Sequence, residues 1–422
     1  MSYSRGQYRS SGGYRGGYDS ARNYASPTPS YDLPPDRDMM AGLNTTRVIE
    51  TIQKPSSLLA PGTGAEVKNV EYIGSYNWTD AKETTIIVPG SPPVWNGRRP
   101  PFTLSPDSGI QTIDQNGYKS PSSTLAPLFA AVDALKKKVE WPSIDVVTDR
   151  NGLRKLMRWI DGNVSKDFRI DLELAGENTK RYREGSEGKS YGLKFEDETT
   201  NAAQGCSAST GHYRIIKYDF YGLKMVVRFE VDACLPTSTP PATSSSPAAT
   251  SDDLSDLLSS MNVAGSSAAQ KSKNAATSGT KDSTSPSLNI VNAGSEVPQS
   301  AIVELTTRSE RWFHTFDWAE ALPQLYLSAT PHLYVGLHNR GTFSEVRKYE
   351  LNGQEMGERK RTAAASFLKL ARTLEGIQEL VVEHGEEGRL SLVCQEGVLK
   401  VYSRVSAASC LSDELRKRFV AV

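Results

Sequence analysis

Three carboxylates lie in segments that otherwise have the composition of buried β-strands, and they constrain this chain more than any other feature. Glu230 and Asp232 end the run IIKYDFYGLKMVVRFEVD, and Glu304 follows Ala301-Ile302-Val303. Because alternate residues of a strand project to one face, Glu230 and Asp232 should point the same way. Buried carboxylates require a compensating charge. The pattern therefore predicts either a divalent metal site or an edge strand whose acids are simply solvated.

The residue types near these acids limit which metal such a site would bind. Oxygen ligands without supporting Cys or His favour Mg²⁺ or Mn²⁺. The five histidines have no ligand spacing, and the sequence contains no HExxH or GxSxG motif. No CxxC pair occurs, which argues against a zinc site and against a disulfide scaffold. The four cysteines are Cys206, Cys234, Cys394 and Cys410.

Composition and charge exclude several classes of protein. The 49 basic and 49 acidic residues balance, so net charge indicates no acidic or basic partner. No run of about 18 apolar residues and no apolar N-terminal signal core occur, so we expect an intracellular protein with no membrane association. The first 24 residues interleave arginine and tyrosine with glycine. This composition predicts a disordered tail, which either binds RNA weakly or is a low-complexity segment without a fixed partner.

The remaining sequence predicts one α+β domain with a large insertion. Residues 1–66 are predicted to be a disordered tail, and residues 67–422 a single domain. A Ser/Thr/Ala/Pro-rich insertion over residues 235–299 interrupts this domain and is also predicted to be disordered. Apolar periodicity predicts helices over residues 124–137, 151–160 and 361–383, and strands over residues 390–394 and 398–402.

Five short motifs follow one another along the domain in a recognisable order. In sequence they are Arg150 before a predicted helix, Gly192 to Glu196 (GLKFE), Glu230-Val231-Asp232, Glu304-Leu305-Thr306, and Gln324 ahead of Thr330-Pro331 and a predicted strand. This succession resembles the DXO-type decapping exoribonuclease family, which includes fungal nuclear members. The family's pattern is an arginine, G-x-x-x-E, E-x-D, E-L-K, and then a glutamine. The resemblance spans roughly residues 70–234 and 300–422.

The resemblance implies both a fold and a site. The implied fold is α+β, with a central mixed β-sheet of the PD-(D/E)XK-like nuclease type flanked by helices. Gln324 would help hold the scissile phosphate and its metals, and Arg150 would contact the 5′ end of an RNA, since a guanidinium suits phosphate. The implied activity is metal-dependent hydrolysis at RNA 5′ ends, as in decapping, 5′ pyrophosphohydrolysis or 5′-to-3′ exonucleolysis. The implied Mg²⁺ or Mn²⁺ ligands are Glu196, Glu230, Asp232, Glu304 and the backbone carbonyl of Leu305.

One position departs from the family pattern and leaves two functions open. The family's lysine in E-L-K is Thr306 here, and losing such an electrostatic group costs about two to three orders of magnitude in rate. Arg308 should share a strand face with Glu304 and could substitute for the lysine, as could Lys194. The first function is hydrolysis; the second is a catalytically weakened relative that binds RNA or stabilises a partner exoribonuclease. The resemblance implies a nuclear protein, with the cytoplasm as the alternative.

Overall fold

A computed structural model describes residues 38–56, 67–108, 115–121, 123–164, 166–174, 176–178, 190–236, 288–385, 388–405, 409 and 411–420. The described strands are β1 (Glu50–Ile52), β2 (Val67–Thr79), β3 (Thr85–Gly90), β4 (Val94–Trp95), β5 (Phe102–Thr103), β6 (Val146–Asp149), β7 (Phe168–Glu173), β8 (Gly176–Asn178), β9 (Thr200–Asn201), β10 (Ser209–Phe220), β11 (Leu223–Val231), β12 (Ala233–Cys234), β13 (Asn289–Gly294), β14 (Ile302–Ser309), β15 (His332–Asn339), β16 (Thr342–Glu350), β17 (Leu390–Gln395) and β18 (Val398–Ser403). The described α-helices are α1 (Gln115–Lys119), α2 (Ala126–Ala134), α3 (Arg150–Asp161), α4 (Gly192–Thr199), α5 (Trp318–Tyr326), α6 (Gln354–His384) and α7 (Asp413–Arg416).

Three mixed or antiparallel sheets organise the described part of the chain. The first has the order β13-β3-β2-β10-β11-β6, and the second has the order β5-β16-β15-β14-β12-β4-β9. The third has the order β1-β18-β17-β7-β8. The predicted α+β class is confirmed.

The acidic run near residue 230 is a hairpin that passes from one sheet into another. Tyr221 and Gly222 turn the chain between β10 and β11 with φ values of 52° and 98°, which glycine adopts readily. β11 also pairs in parallel with β6, and it ends at Val231. After Asp232 the chain enters β12, which pairs antiparallel with β14 in the second sheet. Asp232 therefore lies at the junction of the first and second sheets.

The largest apolar core is covered by three helices. Leu153 of α3, Leu322 of α5 and Phe367 of α6 are all buried in one cluster with residues from each sheet. The predicted C-terminal helix is present but begins at Gln354 rather than at Arg361, and Met356 in the added turns is fully buried. A single apolar residue in a charged sequence gives only a weak helical periodicity, so the predicted helix began several residues after the true start.

Part of the predicted tail belongs to the folded structure. Residues 38–56 contain β1, which pairs antiparallel with β18, and Leu43 is buried against the same sheet. The Arg169 guanidinium donates hydrogen bonds of 2.9 and 2.7 Å to the carbonyl oxygens of Met39 and Ala41. Arg169 lies more than a hundred residues along the chain from Met39 and Ala41, so no local sequence pattern reveals that residues 38–56 pack against this sheet. The other residues of the predicted tail, 1–37 and 57–66, lie outside the described residues.

The end of the predicted insertion is also folded. β13 pairs in parallel with β3 over its whole length, and Val297 is buried. Residues 289–294 therefore belong to the first sheet, and residues 288–299 are part of the described fold, although the sequence interpretation placed them in the insertion. Residues 237–287 lie outside the described residues, and how the chain divides into domain, tail and insertion stays a prediction. Among the described helices, none has the length and apolar character needed to cross a membrane.

Candidate active site

Four carboxylates from different elements influence one another at the junction of the first and second sheets. The pKa of Glu196 in α4 is raised to about 8, first by burial and then by the negative charges of Glu230 and Glu304. The pKa of Asp232 is held well above its usual range, first by burial and then by Glu304 and Glu196. The Leu305 N–H, which donates a 2.8 Å hydrogen bond to Asp232 Oδ2, acts in the opposite direction. The acids are therefore near enough to oppose each other's ionisation.

One arginine compensates part of this charge. Arg150 Nη1 donates a 3.0 Å hydrogen bond to Glu304 Oε2, and both side chains are about 10% exposed. Gln324 Nε2 donates to the other oxygen, Oε1, of Glu304. Arg150 also donates to Ser328 Oγ at 3.3 Å and to the Glu230 carbonyl oxygen at 3.4 Å. The structure thus brings Arg150 and Gln324 to the acids. Their expected roles, Arg150 at the RNA 5′ end and Gln324 at the scissile phosphate and its metals, stay predictions.

Arg150 is held in place by a buried ion pair one residue before it. Asp149 accepts hydrogen bonds of 2.7 and 2.8 Å from Nε and Nη2 of Arg228, whose side chain is fully buried. These residues face each other across the parallel pairing of β6 and β11. A bidentate pair of this kind fixes geometry as well as charge. It fixes the start of α3, so that Arg150 is directed at Glu304.

Asp107 orients the helix that carries Glu196, and the sequence interpretation missed it. Its Oδ1 accepts a 2.9 Å hydrogen bond from the Lys194 N–H, and its Oδ2 accepts one of 2.6 Å from Ser190 Oγ. A carboxylate at the first turn of a helix stabilises that turn. Asp107 lies more than 80 residues before α4 in a proline-rich loop, and no sequence signal marks it. Asp107 also contributes to the raised pKa of Glu196.

A glycine and a glutamine flank Glu230, and neither was predicted. A Cβ added to Gly211 would lie 3.1 Å from Glu230 Oε1 and 2.7 Å from Gln115 Nε2. Gln115 Nε2 donates to the Thr210 carbonyl oxygen at 2.5 Å, and its Oε1 accepts from Thr210 Oγ1 at 2.6 Å. Because Gln115 is fixed in this way, a side chain at position 211 would displace the carboxylate of Glu230.

Two residues were candidates to replace the family's lysine, and they have different surroundings. Lys194 has a half-exposed side chain with Asp197 at 3.8 Å, an ordinary ion pair within the helix. Arg308 lies on β14, where strand alternation puts it on the face of Glu304 and Thr306. Its Nε is buried and makes no hydrogen bond with the described part of the chain. Arg308 therefore has an unused donor and lies on the strand that carries Glu304.

The donor set fits a divalent cation in its chemistry, but the side chains are not arranged as ligands. Carboxylate oxygens that raise one another's pKa are what a hard cation would neutralise. Within the described ranges, however, no three His, Cys, Asp or Glu side chains are placed to hold one metal ion together. At Glu304 both carboxylate oxygens accept hydrogen bonds, one from Arg150 and one from Gln324. The ligand set Glu196, Glu230, Asp232, Glu304 and Leu305 stays a prediction.

The fold is that of the Rai1 proteins. A mutant S. pombe Rai1 in complex with 3′-FADP matches with a TM-score of 0.51 and 12% identity, over 82% of this chain and 97% of that one. Scheffersomyces stipitis Rai1 in complex with (3′-NADP)⁺ and calcium matches with a TM-score of 0.51 and 13% identity, over 87% and 99%. Candida albicans Rai1 in complex with pU5-Mn²⁺ matches with a TM-score of 0.50 and 12% identity, over 85% and 96%. The family resemblance drawn from the motifs is therefore confirmed for the fold.

A family model described as a domain of unknown function, DUF8563, matches residues 46–420. The chain belongs to this family. No curated protein sequence matches it.

Proposed function

We propose that this protein is a metal-dependent phosphohydrolase that acts on the 5′ ends of RNA. The observation that carries the proposal is the raised pKa of Glu196 and of Asp232, each caused by burial and by neighbouring carboxylates. Ion pairs with arginine are the ordinary way to compensate buried acids. Glu304 has one, whereas among the described residues neither Glu196 nor Asp232 does. Burying carboxylates close together costs free energy of folding, so such groups are candidates for a functional site.

The roles we assign are those that the motif resemblance implies. Glu196, Glu230, Asp232 and Glu304, with the Leu305 carbonyl, would hold Mg²⁺ or Mn²⁺. When bound, such ions activate water and stabilise negative charge on the leaving oxygen. Gln324 would orient the Glu304 carboxylate and donate to the scissile phosphate.

Two arginines would receive the substrate. Arg150 faces the acids from the start of α3 and would bind the 5′-terminal phosphate, since a guanidinium offers forked donors to phosphate oxygens. The unused Nε donor of Arg308 would supply part of the positive charge that the family's lysine provides at position 306. The ligands named with the Rai1 structures, 3′-FADP, (3′-NADP)⁺ and pU5, are nucleotides or short RNA and are consistent with this substrate class.

A second function is favoured by a specific observation, namely the closed network around Glu304. Both oxygens of this carboxylate are bonded to Arg150 and Gln324, and Thr306 supplies no charge. A relative with this arrangement would bind an RNA 5′ end, or stabilise a partner exoribonuclease, without hydrolysing the RNA. The two functions differ in one respect, which is whether metal ions pull Glu304 away from Arg150.

One assay separates the two functions. The full-length protein is incubated with Mg²⁺ or Mn²⁺ and with RNAs that carry a 5′ triphosphate, an unmethylated cap or a 5′ monophosphate. The hydrolase releases products only when metal is present, and Glu230→Gln abolishes the release. Glu379→Gln, an exposed change on α6, is the matched control and should have no effect. If no RNA is cleaved and 5′-end binding is independent of metal, the second function is correct.

The proposal also includes a location and a partner. We place the protein in the nucleus together with a 5′-to-3′ exoribonuclease, on the strength of the motif resemblance. Imaging of a fluorescent fusion and co-purification from nuclear extract test both claims. Uniform cytoplasmic signal with no co-purified exoribonuclease would contradict them, whatever the result of the hydrolysis assay.

A further inference from the structure

The segment that connects two elements of the candidate site has an unusual surface. A 3₁₀ turn over Glu310–Thr315 leads from β14, which carries Glu304, to α5, which carries Gln324. No residue of this turn is buried, and Trp312 is 52% exposed. A single exposed aromatic ring is ordinary, so the groups around Trp312 decide whether this turn is a binding surface.

Arginines stack on aromatic rings at three places along this connection. The guanidinium carbon of Arg311 lies 5.3 Å from the centre of the Trp312 ring. The remaining two pairs join this segment to neighbouring elements. They are Arg347 of β16 over Phe313, at 4.5 Å, and Arg359 of α6 over Trp318, at 4.0 Å. The His314 ring also stacks near Trp312, with ring centres 6.2 Å apart and an angle of 27° between the planes. We call Arg311, Trp312, Phe313, His314, Trp318, Arg347 and Arg359 the arginine–aromatic surface.

The charges around this surface leave two arginines available. Glu345 lies 3.0 Å from Arg347 and neutralises it, while Glu310 accepts a 2.7 Å hydrogen bond from Ser344. Neither Arg311 nor Arg359 forms an ion pair with a carboxylate of the described residues. Arg311 lies beside the exposed Trp312 ring, and Arg359 lies over Trp318, which is partly buried against the core. The surface therefore offers two guanidinium groups for phosphate contacts and one open stacking face, that of Trp312. This combination is characteristic of surfaces that bind single-stranded nucleic acid.

The surface also lies at a suitable distance from the acids. Five residues of extended strand separate Glu304 from Ser309, which is roughly 16 Å at the rise of a β-strand. An RNA whose 5′ end is at Glu304 would therefore extend several nucleotides before it reaches Trp312. Bases beyond that point are unpaired in a single strand and present their faces for stacking.

We propose that the arginine–aromatic surface binds the single-stranded part of the RNA downstream of its 5′ end, with Trp312 as the stacking platform. This inference rests on the proposed function for its choice of substrate. Its consequence is that affinity depends on RNA length and strandedness, because a very short RNA would not reach the platform and a duplex would hide its bases.

Binding of 5′-monophosphorylated oligouridine to the full-length protein tests this inference. Fluorescence anisotropy with 2-nucleotide and 12-nucleotide RNAs, without added metal, measures affinity in the absence of turnover. We expect Trp312→Ala to weaken binding of the longer RNA by about tenfold, the scale of one base–aromatic stack. Trp312→Phe should retain most of the affinity, and the shorter RNA should bind all variants alike. Far-ultraviolet circular dichroism checks that each variant is folded.

Two arginine substitutions, one on the surface and one away from it, complete the experiment. Arg311→Ala should weaken binding of the longer RNA and reduce its salt dependence by about one phosphate contact. Arg372→Ala, an exposed arginine on α6, is the matched control and should change neither quantity. A 12-base-pair duplex should compete poorly with the single strand.

The outcomes separate failure of this inference from failure of the proposed hydrolase function. If folded Trp312→Ala binds the longer RNA as wild type does, or if the duplex competes equally well, the inference is wrong and the surface serves another partner. If wild type cleaves RNA with a KM that does not depend on length or on Trp312, the hydrolase stands and the inference fails. If nothing is cleaved but binding of the longer RNA requires Trp312, the inference stands without the hydrolase.

Discussion

Two groups of buried carboxylates in this molecule differ in how far arginine side chains compensate their negative charge. On β7, Asp171 accepts hydrogen bonds from Arg169 and from Ser391, and both members of the Arg169–Asp171 pair are almost fully buried. Glu173 on the same strand lies 3.4 Å from Arg404 and 3.6 Å from Arg416. Each acid on this strand has a nearby guanidinium. We call these residues the structural cluster.

At the candidate site the compensation is incomplete. Arg150 pairs with Glu304, whereas Glu196 and Asp232 form no ion pair with any residue that the structure describes. The pKa values of Glu196 and Asp232 are raised, first because both side chains are buried and then because the other acids are close. The comparison teaches that this fold compensates buried acids where they serve stability. Where it leaves them in excess, the excess indicates a site for a positively charged ligand.

Removing a cation from the structural cluster should have the largest effect. Arg169→Met leaves Asp171 buried without its partner and releases the carbonyl oxygens of Met39 and Ala41. Breaking a buried pair from one side costs about 3–5 kcal/mol. Urea denaturation should measure a loss of that size in the free energy of unfolding. Arg372→Met, in an exposed pair, should change it by less than about 1 kcal/mol.

Removing an acid from the candidate site should affect activity and leave the fold intact. Asp232→Asn should reduce metal-dependent RNA hydrolysis by at least about a hundredfold. It should not lower the melting temperature at pH 8. The raised pKa means that the folded protein opposes ionisation of Asp232, so this carboxyl group reduces stability once the pH exceeds the ordinary range of an aspartate. Hydrolysis assays and thermal unfolding with and without Mn²⁺ measure both. If the melting temperature falls by several degrees, Asp232 stabilises the fold as the structural cluster does, and the distinction between the two groups of acids is wrong.

Adding a cation at the site should have a smaller effect. Thr306→Lys would introduce an ammonium on the strand face of Glu304, and the acids around it would keep it protonated. We expect metal-dependent hydrolysis to rise by about tenfold, measured on the preferred RNA end, and Asp232→Asn in the same background to abolish the gain. If Arg308 already supplies this charge, Thr306→Lys will change little, and Arg308→Ala will be the damaging variant.

The smallest effect is expected from the inserted segment. Replacing residues 240–285 with a short Gly/Ser linker should shift the melting temperature by less than about 2 °C, since the composition of this segment provides few apolar groups to bury. The deletion must stop before β13, which is paired along its length with β3. A deletion that extends through β13 is the control and should destabilise the first sheet. Calorimetry of both variants provides the comparison.

Much of the fold could be predicted from the sequence because periodicity is local. Helices α2, α3 and α6 and strands β17 and β18 each repeat their apolar residues within a short window. Glu230 and Glu304 were conspicuous because a charge interrupts an apolar run. Asp107 and Gln115 could not be predicted, because their roles depend on partners about 90 residues away along the chain.

The sequence by itself determined several helices and strands, which acids interrupt them, and the order of motifs that led to the fold. Only the tertiary structure decided that residues 50–52 and 289–294 join the sheets as strands. It also decided that the guanidinium of Arg150 pairs with Glu304 and that Arg308 keeps an unused donor. The physical reason is the range of the interactions. Hydrophobic periodicity acts over a few residues, whereas compensation of a buried charge depends on which distant side chain the fold brings within about 3 Å.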